Sequence, residues 1–339
     1  MWLTSSSIGR KFVMAITGAC LVLFVTFHVL MNAVAIVWPA SYNAVCEFLG
    51  ANWYALIASA GLGLLFVIHI IYALWLTVQN RRARGHERYS VNKRPADVEW
   101  SSKNMLVLGI VVLAFLVVHM CQFWYKMQWQ EIWGNWYTSG DFEYPAAAGT
   151  LFLQLAFEQW WTPVVYLIGF IALWFHMNHG FWSMLQTVGW NNNVWLNRVK
   201  CISFWWTSVV VVLFAIQAGV FTYQAHQGTY LTDPSLKFQY LEMLQHKADE
   251  KMEDLQARSL GIDVNDNSPE TYQAMQAFQM EAQQIQTNFN NSVKVMRQLG
   301  DRFKTNAVEA EAVVEETVEA VEAAPAVEAA EEINNQTEE

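Results

Sequence analysis

Residues 161–186 read WTPVVYLIGFIALWFHMNHGFWSMLQ, and this stretch decides the fold. It holds no Asp, Glu, Lys or Arg. As an α-helix it is long enough to cross a hydrocarbon layer about 30 Å thick. An ionisable side chain inside such a span is costly, and it marks a functional site by default. This span holds His176 and His179. Four more apolar runs of similar length lie at about 11–37, 53–80, 103–126 and 203–225. Three of them hold one histidine each: His28, His69 and His119. A lone histidine on an apolar helix is usually a satisfied core residue. Histidines in four of five spans ask for a common cause, and the simplest is pairwise imidazole ligation of metal cofactors inside a helix bundle. The fold class is therefore all-α, a transmembrane five-helix bundle.

Composition agrees. The chain is 54% hydrophobic with 17 Trp, and the apolar residues gather in blocks of membrane-helix length. The first run has no small-residue cleavage site and is as long as a full span, so a secretory signal peptide fits it poorly. The four cysteines, Cys20, Cys46, Cys121 and Cys201, are scattered. No Cys-x-x-Cys pair marks zinc or redox chemistry, and no Cys-x-x-Cys-His marks covalent haem, so any haem is non-covalent and b-type. Up to His226 there are 12 Lys+Arg against 8 Asp+Glu, and from Gln227 onward 8 against 22. The net charge of −10 thus belongs to the tail. No basic stripe or recognition motif supports nucleic-acid binding.

Basic residues orient the spans. Arg10 and Lys11 precede the first, Arg81 to Lys103 crowd the link between the second and third, and Arg198 and Lys200 lie before the fifth. The link at 127–160 carries Glu131, Asp141, Glu143 and Glu158 instead. The positive-inside rule puts the N-terminus and the basic links in the cytoplasm and, with five spans, the C-terminal tail outside. Trp38, Trp53, Trp129, Trp133, Trp136, Trp160 and Trp161 gather at the outer ends, where an interfacial belt belongs. Helical rise then pairs the histidines. His28 and His119 lie about 25 Å from the inner ends of their spans, and His69 and His176 about 17 Å. A haem needs two axial ligands at one level on facing helices. Two stacked haems satisfy all four residues, His28 with His119 at the outer level and His69 with His176 at the inner. His179 shares a helical face with His176, so spacing alone leaves both open. His86, His226 and His246 fall in links or tail and read as solvated or interfacial.

Ser7-Ile8-Gly9-Arg10-Lys11, Thr17-Gly18, the ordered set of four histidines, and His176 with Gly180 and Gly189-Trp190 carry a resemblance over residues 5–225. The chain resembles the cytochrome b membrane anchor of succinate:quinone oxidoreductases, the single-chain, five-helix, two-haem type of succinate dehydrogenases and fumarate reductases. The resemblance selects His176 over His179. It implies two haem b groups held by His28, His69, His119 and His176, and a multi-pass place in a bacterial inner membrane. It implies a flavoprotein and an iron–sulfur subunit on the cytoplasmic face, with the dicarboxylate active site on those partners. It implies, too, that electrons pass through this chain to menaquinone. A quinone site needs a proton donor, and Glu47 is the carboxylate near the outer ends of spans one and two; a hydrated loop glutamate is the equally plain reading. Gly18, Gly61, Gly63 and Gly109 offer close approach to a porphyrin, or simply helix packing. Where some members of this family carry a proton-moving glutamate two residues before the fourth ligand, this chain has Trp174.

Two other classes stay open on sequence. One is a haem-carrying membrane subunit of another quinone-linked complex, of the hydrogenase or formate dehydrogenase type. The other is a non-haem transporter or scaffold with the histidines in a proton relay. Beyond the membrane domain at 1–226, residues 227–304 read as a helical extension. In it, 236–258 and 270–304 form a hairpin or coiled coil about a turn-rich break at 261–269. Residues 305–339 carry 11 Glu and no base and read as a disordered acidic tail. No haem ligand lies beyond residue 180, so the tail is expected to be dispensable for haem binding.

Overall fold

The computed structural model describes residues 6–84, 99–140, 142–190, 192–259 and 268–323, without the side chains of 51, 84 and 304–323. The basic link at 85–98 with His86, the break at 260–267, Asp141 and residues 324–339 lie outside the described residues. In chain order the elements are α1 (Ser7–Val37), α2 (Pro39–Ala51), α3 (Trp53–Arg84), α4 (Trp100–Gln122), α5 (Gln128–Ile132), β1 (Tyr137–Ser139), β2 (Phe142–Tyr144), α6 (Gly149–Phe157), α7 (Thr162–Thr187), α8 (Trp195–His226), α9 (Thr229–Thr232), α10 (Pro234–Ser259) and α11 (Pro269–Ala323). The fold is all-α, with one two-stranded antiparallel hairpin among the described residues.

Among the described residues five helices, α1, α3, α4, α7 and α8, are long and apolar enough to cross a membrane. Local chemistry sets their ends. Ser6 caps α1 by accepting from the Gly9 N–H at 2.9 Å. Pro39 cannot continue α1, so Trp38 leaves the helical region (φ −141°, ψ 78°) and Pro39 opens α2. At the end of α7, Gly189 takes φ +98°, its N–H reaches the Gln186 carbonyl and the Trp190 N–H reaches that of Leu185. This is the Schellman closure, and it gives the Gly189-Trp190 pair a structural reason. Helix α8 begins at Trp195, about two turns before the apolar run that foretold it, because Asn197, Arg198 and Lys200 hide its first turns from hydropathy.

Helix α7 packs against α4, α8 and α1, while α3 packs chiefly on α1. The outward faces expose Leu23, Leu64, Val107, Ile168 and Val212. A water-facing protein does not leave an apolar surface of this extent bare. We call the end of the bundle where α1 and α8 finish the upper end. There α2, α5, the β-hairpin, α6 and the tail gather on the five helices. Helix α6 is buried along nearly its whole length. Leu236, Tyr240 and Leu244 of α10 and Met296 of α11 join the same core as Val29, Phe152 and Phe221. The expected hairpin forms, with α10 packed along α11, but it lies on the bundle instead of standing apart from it.

Polar ties fix that docking. Asn43 Oδ1 accepts from the Thr150 N–H (3.0 Å) and hydroxyl (2.8 Å). The Thr150 hydroxyl lies 2.7 Å from the Tyr240 hydroxyl, which donates to the Tyr230 carbonyl at 3.2 Å. Asn43 also donates to Gln239 at 3.2 Å. Lys251 and Asn288 both donate to Glu143, and Arg302 pairs with Glu158 at 2.6 Å. Helix α11 runs to Ala323, past residue 305 where composition foretells disorder. Ala and Glu are among the strongest helix formers, so a repeat of Val, Glu and Ala extends a helix already nucleated by packing.

Candidate functional site

The bundle brings the four span histidines together as two pairs. The imidazole rings of His28 (α1) and His119 (α4) have centroids 5.8 Å apart. Those of His69 (α3) and His176 (α7) are 6.3 Å apart. Two imidazoles bound to one metal, each through a bond of about 2 Å, stand with their centroids ~6 Å apart. Among the described residues no three His, Cys, Asp or Glu side chains gather as for a directly bound ion. A haem asks for only two protein ligands, since the porphyrin nitrogens supply the other four.

Proton bookkeeping sharpens the fit. Thr17 Oγ1 donates to the Val13 carbonyl at 2.9 Å, so toward His69 Nδ1, 3.1 Å away, it acts as acceptor. The Tyr166 hydroxyl donates to Gln122 Oε1 at 2.9 Å and therefore accepts from His119 Nδ1 at 3.1 Å. Gln122 in turn donates to Thr162 at 3.1 Å. Both imidazoles thus carry their proton on Nδ1 and present a bare Nε2 lone pair. This is the tautomer a metal requires, with the outer hydrogen bond that commonly orients a histidine ligand. His176 Nδ1 is buried with no hydrogen-bond partner among the described residues. His28 differs: its Nε2 faces the Asn32 amide at 3.4 Å, at the weak end of hydrogen bonding.

Two of the four singled-out glycines face the lower pair. A Cβ on Gly18 would sit 3.7 Å from His69 Cε1, and one on Gly109 would sit 3.5 Å from His176 Cε1. Gly61 and Gly63 face open space. The upper pair is ringed by Phe24, Phe115, Phe123 and Phe214. His179 points elsewhere: its Nδ1 lies 3.4 Å from Glu99, which also pairs with Lys200 at 3.0 Å. Burial alone would raise the Glu99 carboxyl, but Lys200 and His179 hold it below the usual carboxylate range. Lys200 also rests 4.5 Å from the Trp182 ring centre. His226 bonds its own helix at Thr222, outside both pairs.

A cavity of about 300 Å³ opens beside the upper pair, and its walls include His28, His119, Tyr42, Glu47, Glu131 and Gln217. Glu47 lies on α2, exposed, on this wall. The sequence reading missed Glu131, which α5 folds against Gly50, and it missed Thr17, Tyr166 and Gln217 as working groups. Their partners lie 47 to 188 residues away, and no local spacing announces them. No model of a known protein family matches the chain, and no curated protein or solved structure does.

Proposed function

We propose that the chain is the di-haem cytochrome b membrane anchor of a succinate:quinone oxidoreductase, carrying electrons between an iron–sulfur subunit and menaquinone. The observation that carries this reading is the pairing of four span histidines at two levels, with the Nδ1 protons of His69 and His119 committed to Thr17 and Tyr166. In it, His28 and His119 hold one haem and His69 and His176 the other. Bound haem supplies one-electron storage at a potential the surrounding protein sets.

The remaining work is done by the chain. Thr17 and Tyr166 keep two imidazoles in the ligating tautomer. Gly18 and Gly109 leave room beside the lower pair, and Phe24, Phe115, Phe123 and Phe214 give the upper pair an apolar surround. Glu47, on the wall of the upper cavity, is the carboxylate this reading assigns to proton exchange with the quinone. Trp174 donates to Ser208 at 2.9 Å and has no titratable group, so no proton path along α7 passes through it. In this reading the lower end, which the positive-inside rule assigns to the cytoplasm of a bacterial cell, is where a flavoprotein and the iron–sulfur subunit dock, and the tail lies on the outer side of the inner membrane. The test is a reduced-minus-oxidised spectrum of the chain purified from membranes, repeated with succinate as reductant in the intact complex. Low-spin b-type bands, reducible by succinate, are expected. A chain without haem absorbance overturns the reading. Haem that succinate leaves oxidised, in a complex that another donor reduces, moves it to a different quinone-linked enzyme.

A further inference from the structure

The tail hairpin turns Leu236, Tyr240 and Leu244 of α10 and Met296 of α11 into the core of the bundle. Between the same two helices runs a groove of about 990 Å³, lined mostly by exposed side chains. Its apolar part is Phe238 and Leu241 of α10 with Phe289 and Val293 of α11. Phe289 and Val293 are half-buried, but Phe238 is 68% exposed and Leu241 37%. Lipid covers such side chains on the five spans. Helix α10 carries Lys237, Glu242, Lys247 and Asp249 along its length and belongs in water. Bare aromatic and aliphatic side chains inside a polar rim mark an association surface.

The two rims carry opposite charge. The α10 rim holds Glu242 and Asp249, and the α11 rim holds Lys294 and Arg297. Antiparallel packing sets their levels. Arg258 of α10 pairs with Glu281 of α11, and Lys251 and Asn288 both reach Glu143. Sixteen residues back from Arg258 and sixteen on from Glu281 stand Glu242 and Arg297, level with each other across the groove. Yet no ion pair among the described residues includes Glu242, Lys294 or Arg297. Asp249 accepts only from Gln245 of its own helix, at 2.8 Å. Each rim is left to a partner that brings the opposite charge to it.

We propose that this partner is the same groove of a second copy of the chain, the two tail hairpins closing into a four-helix bundle about the twofold axis of a dimer. A twofold along the groove lays α10 of each copy on α11 of the other. Glu242 then meets Arg297 of the second copy, and Asp249 comes within about a helical turn of its Lys294. Phe238 and Leu241 of the two copies meet across the axis at one level, Phe289 and Val293 at another. A twofold across the groove would set α10 on α10, with Glu242 and Asp249 against each other, so the charge pattern selects the first arrangement. For copies in one membrane that axis also runs along the membrane normal. Twelve residues line the groove, fewer than the roughly 20–30 a side of a standard interface, so the pairing depends on the membrane that confines both copies. The groove lies outside both histidine pairs, and the dimer stands or falls apart from what those pairs bind.

The test is energy transfer between full-length copies labelled at the C-terminus with donor or acceptor and reconstituted together in lipid vesicles, followed as lipid is added. Wild-type copies should transfer above the level of random proximity. Glu242→Arg makes both rims basic and Arg297→Glu makes both acidic, so each variant alone should pair about tenfold more weakly or worse. Donor-labelled Glu242→Arg with acceptor-labelled Arg297→Glu should recover the transfer, and so should the E242R/R297E chain with itself. Phe238→Asp should fall to the random level. All three positions are exposed, and an unchanged melting temperature checks that each variant is folded. Wild-type transfer at the random level overturns the proposal and leaves the groove to a different protein. Transfer that both single variants retain overturns it by putting the contact on the spans. Complementary variants that fail to pair with each other overturn it as well.

Discussion

Tyr166→Phe removes the oxygen that accepts the His119 Nδ1 proton and strands that proton among Phe115, Phe123 and Phe170. Outer hydrogen bonds of this kind are worth about 10–100-fold in metal affinity. The variant is expected to weaken the upper haem selectively, and Thr17→Val the lower. Haem content after graded detergent washing, with potentiometric titration to tell the two haems apart, measures both. Each variant affecting the other's haem would contradict the assignment. His179→Asn should leave both haems in place, since His179 serves Glu99; loss of a haem there, with retention in His176→Ala, reverses the choice between them. At this scale the sequence revealed the paired histidines better than the groups that support them. Four histidines announced themselves because charge is rare in apolar helices. Thr17 and Tyr166 did not, because hydroxyls in such helices usually bond their own backbone, as Thr17 also does.

Helix by helix, the five spans were readable because hydrophobic runs of membrane length have few rival explanations, and a helix's constant rise turned sequence distance into depth. Helix α6 was not readable: nine residues are too few for a span, and its burial depends on α8 and α2 closing around it. The tail's docking was equally hidden. Asn43, Thr150 and Tyr240 meet across gaps of 90 and 107 residues, and nothing local in any of them predicts it. This docking ties the tail to the fold of the bundle, which the expectation of a dispensable tail did not include. Truncation after residue 230 removes Leu236, Tyr240, Leu244 and Met296 from the shared core, and burial of each Leu or Met side chain is worth about 1.5–3 kcal/mol. The truncated chain should unfold at lower temperature and lose the upper haem before the lower, as read by haem absorbance during a melt. Helix α10 itself starts on Asp233, whose carboxylate accepts from the Ser235 hydroxyl (2.6 Å) and from the Ser235 (2.8 Å) and Leu236 (3.0 Å) N–H groups. Asp233→Ala should cost about 1 kcal/mol as a lost cap. These bonds, the Ser235 hydroxyl first, hold the Asp233 carboxyl below its ordinary value of 3.8. The stabilisation is present above that value and is lost as pH falls through the lowered one.

The whole molecule is a membrane bundle with a clasp at one end. Its topology has a direct readout: protease added to intact spheroplasts should reach the tail, whereas cleavage only in inverted vesicles would mean an even number of spans. The clasp, the upper cavity and the upper histidine pair lie at one end, and the Glu99–Lys200 pair lies at the other. What organises both ends is the stacking of two imidazole pairs along the bundle axis, and the haem content of four single variants tests that claim most directly. The wild-type chain should hold two haems. His28→Ala and His119→Ala should each lose the same haem, His69→Ala and His176→Ala should each lose the other, and the haem that remains should keep its low-spin spectrum and its potential. Loss of one common haem from His28→Ala and His69→Ala, or full haem content in all four variants, would contradict the account.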